Sequence, residues 1–371
     1  MPQRERSDMS RVSEQTFPAY RFSGTHREIG RQFGEATRNL IWQHRDLAVT
    51  RLGTQSGVGG EQALAAALRY RPFVQQYAPF LDEEIIGVAE GAGLSLAEAY
   101  LLQLRAELAN TAGLYDELGD ECTTFAVLAE QTSNGQPLIG QNADLPAFYR
   151  HIGVVIEIVS DDHPPVLMLT PAGQVSYIGI NGNGLGVCAN FLTCDGWRLG
   201  FPRYLLSRLA LTHDTVDAAI AAIDRVPRAS SRNLLLLDAQ GNAADLETTP
   251  TQSARLRPGL GFIAHANHYV APTLLGEERY ADGPRENSCI REGRMIELLA
   301  VNRGQLDAGL MQEILRDRAT APDTLSRAPE DDPTRDVITF ASVIAEPARG
   351  QMWIAVGPPH EHPYRCYGFA A

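Results

Sequence analysis

Cys122 is the residue of this sequence whose position favours nucleophilic chemistry. It lies where helical patterns give way to strand-like ones, in the segment 119–125. If the peptide bond before Cys122 were cut, one residue would carry both a thiol and an α-amine. Because an α-amine has a pKa of about 7.7–8.0, it suits a base near neutral pH, and the thiol would then need no histidine. The alternative is that Cys122 is a small buried hydrophobic residue.

Two histidine-based alternatives involve the same region. A thiol hydrolase of the papain type would pair Cys122 with His265 or His268, since a neighbouring imidazole activates a thiol. The nucleophile of such enzymes begins a helix, however, whereas Cys122 is predicted to begin a strand. A metal site would use His265, His268, His360 and His362. Residues three apart on a strand point to opposite faces, which argues against His265 and His268 sharing one ion.

Five short motifs occur in an order that resembles a known family. They are CTTF (122–125), GQNAD (140–144), GLGVCAN (184–190), HANH (265–268) and SCIREGR (288–294). Together they resemble the acyl-coenzyme A:6-aminopenicillanic acid acyltransferase family of N-terminal nucleophile (Ntn) cysteine hydrolases. There is a more distant likeness to conjugated bile acid hydrolases and penicillin V acylases. The likeness extends over nearly the whole chain.

The resemblance implies a catalytic set of three residues. Cys122 matches the nucleophile, which in this family is exposed by self-cleavage through a thioester. Asp144 matches the carboxylate that orients the α-amine and stabilises its charged form. Asn267 matches the amide of the oxyanion hole. Without the resemblance, Asp144 is equally an Asx-turn residue and Asn267 a strand-end cap.

Three further residues, Gln141, Asn190 and Arg291, are candidates for substrate binding. Gln141 occupies a position that is arginine in the bile acid branch, which favours the penicillin-acyltransferase branch. Arg291 and Arg294 have helical spacing and could bind a substrate carboxylate, although a solvated helix face is the alternative. Glu121 departs from the family, which often has glycine before the nucleophile. Its side chain could hinder the strained turn that self-cleavage needs.

The fold that the family implies is an α+β, four-layer αββα sandwich. Residues 1–121 would form a helical pro-segment, and residues 122–371 the core. The sequence pattern agrees, since capping boxes at Thr25/Glu28 and Ser95/Glu98 predict helices early in the chain. From residue 123 onward, short apolar runs separated by turn residues predict antiparallel strands, with helices returning later in the chain.

Composition excludes several other classes of protein. All 32 basic residues are arginine, because the sequence contains no lysine. This excludes Schiff-base, Ser-Lys and pyridoxal chemistry and the phosphate-loop lysine, since each needs an amine. The formal net charge of −13 argues against nucleic-acid binding. No apolar run is long enough to span a membrane, and the polar residues 1–15 lack the apolar stretch of a signal peptide.

The cysteine count adds an expectation about the compartment. The five cysteines are odd in number and lack metal-like spacing. We therefore predict a cytoplasmic protein of 371 residues without structural disulfides. The family requires no metal or other cofactor. After cleavage the two chains could stay associated, and the protein could form a homo-oligomer.

The sequence therefore predicts an N-terminal nucleophile amidohydrolase or acyltransferase. Its substrate would be a small N-acyl compound or an acyl thioester. The alternatives are an uncleaved, non-catalytic ligand-binding protein on the same fold, and a Cys-His thiol hydrolase. An intact Glu121–Cys122 bond would favour the binding protein, and a thiol that reacts rapidly at neutral pH would oppose it.

Overall fold

The structure is a computed structural model that describes residues 16–56, 59–104, 107–108 and 121–370. The predicted polar tail lies outside the described residues, as do residues 119 and 120 at the start of the predicted helix-to-strand boundary. None of the described helices is both long enough and apolar enough to cross a membrane.

Helices dominate the described part of the chain before residue 121. Both predicted capping boxes are present: Thr25 and Glu28 cap each other's backbone N–H, and Ser95 and Glu98 do the same. Each helix therefore begins at the residue after its cap. The helices are α1 (His26–Ala36), α2 (Arg38–Ser56), α3 (Gly60–Leu68), α4 (Arg71–Tyr77), α5 (Pro79–Ala92) and α6 (Leu96–Leu101).

The described strands form two β-sheets. The eight-stranded sheet contains, in spatial order, β1 (Ala19–Gly24), β4 (Gly153–Ser160), β5 (Val166–Pro171), β6 (Ile178–Asn181), β7 (Gly186–Asn190), β8 (Arg232–Leu237), β9 (Ala243–Thr248) and β10 (Ser253–Leu256). The six-stranded sheet contains β11 (Phe262–His265), β2 (Glu121–Val127), β3 (Leu138–Pro146), β12 (Val337–Glu346), β13 (Gln351–Val356) and β14 (Arg365–Gly368). The predicted strands thus belong to two sheets.

The sheets pack face to face, with helices on both outer sides. Side chains of β2, β7 and β8 that point inward form the core between the sheets, among them Cys122, Cys188 and Leu235. Because strand side chains alternate, Phe125 and Val127 lie on the other face of β2 and pack against helices. The later helices are α7 (Tyr149–Ile152), α8 (Leu205–Ala210), α9 (Val216–Arg225), α10 (Asp282–Val301) and α11 (Ala308–Leu315).

These layers confirm the predicted αββα sandwich. Helices α1–α6, α8 and α9 contribute to the core that covers the eight-stranded sheet, whereas α10 and α11 cover the six-stranded sheet. The edge strand β1 was not predicted: it precedes α1 and pairs in parallel with β4. Only Phe22 of β1 is buried, so its sequence carries little strand signal. The division of the chain at 121/122 stays a prediction.

Candidate active site

Cys122 is the second residue of β2, as the sequence predicts. Its side chain is buried and points into the core between the sheets, where Cys188 of β7 also lies. Arg232, at the start of β8, is buried within electrostatic range of the thiol. Burial lowers the pKa of Arg232, and the charge of Arg203 lowers it further. A cation at this position would favour a thiolate at Cys122.

The main chain of Cys122 is held by three side chains that the sequence singled out. Its N–H donates to Oδ1 of Asn267 over 2.8 Å. Its carbonyl accepts hydrogen bonds from Nη1 of Arg291 at 2.8 Å and from Nδ2 of Asn190 at 3.1 Å. Arg291 also donates to Asn267 Oδ1 at 2.9 Å. The fold therefore brings Cys122, Asn190, Asn267 and Arg291 into one connected group.

Three separate elements supply these side chains. Asn190 is the last residue of β7, and Asn267 follows the end of β11. Arg291 lies on α10, and the same helix holds the Asn267 backbone, whose N–H donates to Ser288 Oγ at 2.6 Å. The ends of two strands and one helix face thus converge on the start of β2.

Asp144 lies on β3, directly across from the bond that would be cut. It pairs with Glu121 in the β2–β3 register, while Cys122 pairs with Ala143. Thr339 donates to Asp144 Oδ1 at 2.6 Å, and the buried Oδ2 has no hydrogen-bond partner among the described residues. Burial raises the pKa of Asp144 to about 7, although the charge of Arg291 and the hydrogen bond from Thr339 oppose the rise. One acceptor oxygen therefore remains open beside the Glu121–Cys122 bond.

Glu121 is buried and ion-paired. Its carboxylate contacts the guanidinium groups of Arg327 and Arg335. Because strand residues alternate, this side chain lies on the face of β2 opposite to that of Cys122. No described non-glycine residue has a positive φ, so the backbone at Glu121 is not in the left-handed region. The ion pairs fix this residue in regular strand geometry.

We expect Glu121→Gln to destabilise the intact chain. Removing the charge leaves Arg327, with 5% of its side chain exposed, as a buried guanidinium without its closest anion. Breaking one side of a buried pair costs roughly 3–5 kcal/mol. Urea unfolding of the uncleaved protein measures the loss. Arg335→Gln is the matched control, since the Arg335 side chain is 29% exposed and its loss should cost no more than about 1 kcal/mol. Equal losses in both variants would contradict this account.

Gln141 and Arg291, both predicted to bind substrate, contact protein groups in this structure. The Gln141 amide donates to the carbonyl of Ala189 at 2.8 Å and accepts from its N–H at 3.0 Å, so it joins β3 to β7. Arg291 is fully buried, so the solvated-face alternative was wrong for this residue. Arg294 is partly exposed and pairs with Asp317 at 2.7 Å.

The histidines near the site bond to groups other than the thiol. His265 contacts the Ala266 carbonyl through Nδ1 and Glu247 through Nε2, each at 2.9 Å. His268 contacts Ser288 at 2.8 Å through Nδ1 and Glu292 at 3.1 Å through Nε2. Both ring nitrogens of each histidine are therefore occupied, which disfavours a Cys-His pair.

One premise about these histidines was wrong. They were expected on opposite faces of one strand, but β11 ends at His265. The two rings stack with centroids 6.3 Å apart. In the part of the chain that the structure describes, neither belongs to a group of three side chains with metal-ligand geometry, whereas His360 lies near Glu330 and Glu361.

Sequence reasoning missed two residues that act on the site. Thr339 reaches Asp144 because it lies across from it in the β12–β3 register, and nothing local in the sequence indicates that pairing. Arg232 had a signal, since it begins β8, a fully buried strand that continues into a run of leucines after Asn233. A charged residue at the head of a fully buried strand indicates a buried cation.

The comparisons with known proteins agree with the motif order. The family model described as "Acyl-coenzyme A:6-aminopenicillanic acid acyl-transferase" matches residues 131–361. A relative from Emericella nidulans, "Acyl-coenzyme A:6-aminopenicillanic-acid-acyltransferase 40 kDa form", is 27% identical over 339 residues, which are 91% of this chain and 92% of the relative.

Two solved structures are also similar. A variant of conjugated bile acid hydrolase from Clostridium perfringens is 13% identical with a TM-score of 0.43, covering 67% of this chain and 97% of that one. Penicillin V acylase from Agrobacterium tumefaciens is 13% identical with a TM-score of 0.42, covering 63% of this chain and 83% of that one. Since the family model spans well over half of the sequence, the chain belongs to the acyl-coenzyme A:6-aminopenicillanic acid acyltransferase family.

Proposed function

We propose that this protein transfers acyl groups through a thioester on Cys122, after cutting its own Glu121–Cys122 bond. The acyl donor would be an acyl thioester or an N-acyl amide, and the acceptor an amine or water. The observation that carries the proposal is the group around Cys122: its N–H and carbonyl are held by Asn267, Asn190 and Arg291. Family membership supports the same reaction class.

The self-cleavage step needs only groups that the chain supplies, and water. Sγ of Cys122 attacks the carbonyl carbon of Glu121, and the C–N bond breaks as the nitrogen takes up a proton. This leaves a thioester between Glu121 and Cys122. Water then hydrolyses the thioester, which gives a carboxylate on Glu121 and a free α-amine and thiol on Cys122.

The open oxygen of Asp144 fits the product of that cleavage. A buried carboxylate oxygen without a hydrogen bond is costly. The α-ammonium of Cys122 would lie across the strand pair from Asp144 and could donate to it. That contact would favour both the charged carboxylate and the charged amine, because opposite charges stabilise each other in a buried site.

Acyl transfer would then proceed in two halves. The α-amine accepts the thiol proton, the thiolate attacks the donor carbonyl, and the leaving group takes the proton from the α-ammonium. The acceptor next attacks the Cys122 thioester with the same amine as base. Asn267 would stabilise the oxyanion through Nδ2, which in the intact chain donates to the Phe191 carbonyl at 3.1 Å.

To bind substrate, the three candidate residues would have to exchange hydrogen bonds within the protein for hydrogen bonds to the substrate. Gln141, Asn190 and Arg291 each donate a hydrogen bond to a main-chain carbonyl. Contacts to substrate would replace one or more of these bonds. Of the three, Asn190 and Arg291 are the nearer to the reaction, because both donate to the Cys122 carbonyl.

One observation favours the alternative of an uncleaved, ligand-binding protein. The paired carboxylate of Glu121 holds the bond in strand geometry, and self-cleavage must distort that geometry. In this alternative, the thiol would serve no catalytic purpose and would react slowly with alkylating reagents.

Intact-mass spectrometry of the purified protein under denaturing, reducing conditions tests the proposal. We expect the 40.5 kDa chain to give two fragments, residues 1–121 and 122–371. Incubation with an acyl thioester should then add one acyl mass to the 122–371 fragment. A single uncut mass after long incubation, together with a thiol that resists alkylation, would contradict the proposal and favour the ligand-binding alternative.

A further inference from the structure

Three metal-ligating side chains converge far in sequence from the Cys122 site. His26 is the first residue of α1, and Asp162 and His163 lie in the connection between β4 and β5. The Nε2 atom of His26 is 2.8 Å from Asp162 Oδ1 and 3.2 Å from His163 Nδ1. The third side of this triangle, His163 Nδ1 to Asp162 Oδ1, is 2.9 Å.

These separations are close to those of ligands on one ion. Zinc bonds to histidine nitrogen and carboxylate oxygen at about 2.0–2.2 Å, which places tetrahedral ligand atoms about 3.3 Å apart. A small outward relaxation of the triangle would give that geometry. Imidazole and carboxylate together are donors that zinc accepts.

Glu84 sets the orientation of the His26 ring. Its Oε1 contacts Nδ1 of His26 at 2.7 Å and also accepts from Nη2 of Arg208 at 2.7 Å. A proton on Nδ1 leaves the lone pair of Nε2 aimed at Asp162 and His163. Metal-bound histidines usually donate their other N–H to a carboxylate in this way. Three atoms that can each offer a lone pair then lie within 3.2 Å of one another, and a cation would satisfy all of them.

The helices that carry His26 and Glu84 are packed too tightly to shift apart easily. At Gly30 of α1, a Cβ atom would lie 2.1 Å from the Glu84 carbonyl oxygen, and at Gly87 of α5 one would lie 2.2 Å from the Arg27 carbonyl oxygen. Only glycine permits this approach. Phe80 adds packing against both imidazoles, with ring centroids 5.0 Å from His26 and 4.6 Å from His163.

The triangle opens onto the solvent. His26, Asp162 and His163 all line a cleft of about 1220 Å³. Within the described residues, the group contains these three ligands, and sites with three protein ligands complete their coordination with water or a bound molecule.

We propose that His26, Asp162 and His163 form a binding site for Zn²⁺, with one coordination position open to the cleft. The ion would tie α1 to the connection between β4 and β5. His26 precedes the Glu121–Cys122 bond in sequence and the other two ligands follow it, so on the proposed function the ion would also link the two chains after cleavage.

Zinc titration of chelator-treated full-length protein, followed by calorimetry and by metal analysis after dialysis, tests this proposal. We expect one equivalent of Zn²⁺ to bind at micromolar free metal. Asp162→Asn and His163→Ala should each weaken binding by more than the roughly 10- to 100-fold typical when a group that only orients a ligand is lost. Asp162 has 60% of its side chain exposed, so its variant should fold normally, which circular dichroism checks.

Two control variants make the result specific. His151→Ala removes an exposed histidine from α7 and should leave the affinity unchanged. His360→Ala removes the histidine of the group formed with Glu330 and Glu361. If the bound equivalent is lost with His360 and kept without His163, or if wild type binds no Zn²⁺, the proposal is overturned. If the wild type binds no Zn²⁺, hydrogen bonds alone hold the three side chains together.

Discussion

Replacement of Cys122 by alanine is expected to leave a folded chain that is never cut and never acylated. The variant lacks the sulfur atom that makes the first nucleophilic attack in both reactions, so both the N-to-S acyl shift and the transfer reaction lose their first step. Acyl transfer should fall to background, a loss of several orders of magnitude. Intact-mass spectrometry and an assay with an acyl thioester donor measure the two effects on the same sample.

Cys188→Ala is the matched control for Cys122. Cys188 is also a buried thiol of the core between the sheets, on β7, and burial raises the pKa of its thiol. Its loss removes similar volume without touching the main-chain contacts of Cys122. This variant should still be cut and acylated. A Cys122→Ala protein that retains turnover, or a Cys188→Ala protein that loses it, would contradict the assignment of the nucleophile.

Replacement of Asp144 by asparagine is expected to slow acyl transfer by roughly 100-fold or more while the protein stays folded. Loss of a group that supports general acid–base catalysis typically costs 10²- to 10⁴-fold. Asparagine keeps an oxygen for the hydrogen bond from Thr339, so the packing of β3 against β12 is retained. The measurement is the rate of thioester formation at several pH values. A variant that unfolds instead would indicate that Asp144 has only a structural role.

The pH dependence of stability tests whether the surroundings of Asp144 disfavour its charged form in the intact chain. The pKa of Asp144 is raised from 3.8 to about 7, chiefly by burial, so the native state favours the neutral carboxyl. Its contribution to stability is therefore fully present below about pH 4 and is lost as the pH rises through about 7. The Asp144→Asn side chain, being neutral throughout, has no such dependence.

Unfolding experiments in the Cys122→Ala background measure this contribution on a chain that cannot be cut. The free energy of unfolding of Cys122→Ala, minus that of the same chain also carrying Asp144→Asn, should fall between about pH 4 and pH 7. A difference that does not change with pH would show that Asp144 is not buried in a charge-disfavouring environment.

The zinc-site proposal and the proposed function can be contradicted independently of each other. Zinc binding concerns His26, Asp162 and His163, none of which contacts the Cys122 group in the described structure. A protein that binds zinc but is not cut would retain the zinc inference and lose the proposed function. A protein that is cut and acylated without binding zinc would do the reverse.

Features that depend on local pattern and on motif order could be predicted from the sequence. Capping boxes determined where α1 and α6 begin, because the cap and its partner lie within one helical turn. Alternating apolar runs predicted most of the strands. The order of short motifs around Cys122, Asp144 and Asn267 indicated the family, and with it the sandwich.

Which side chains meet could not be predicted from local sequence, because strand register and sheet packing are set by distant parts of the chain. The register of β2 on β3 places Asp144 beside the Glu121–Cys122 bond. That of β12 on β3 brings Thr339 to the same carboxylate. The turn of α10 that carries Arg291 is buried against β2, where the sequence allowed a solvated face. Close packing of α1 on α5 orients His26 toward Asp162 and His163, which a chain separation of more than 130 residues conceals from any local pattern.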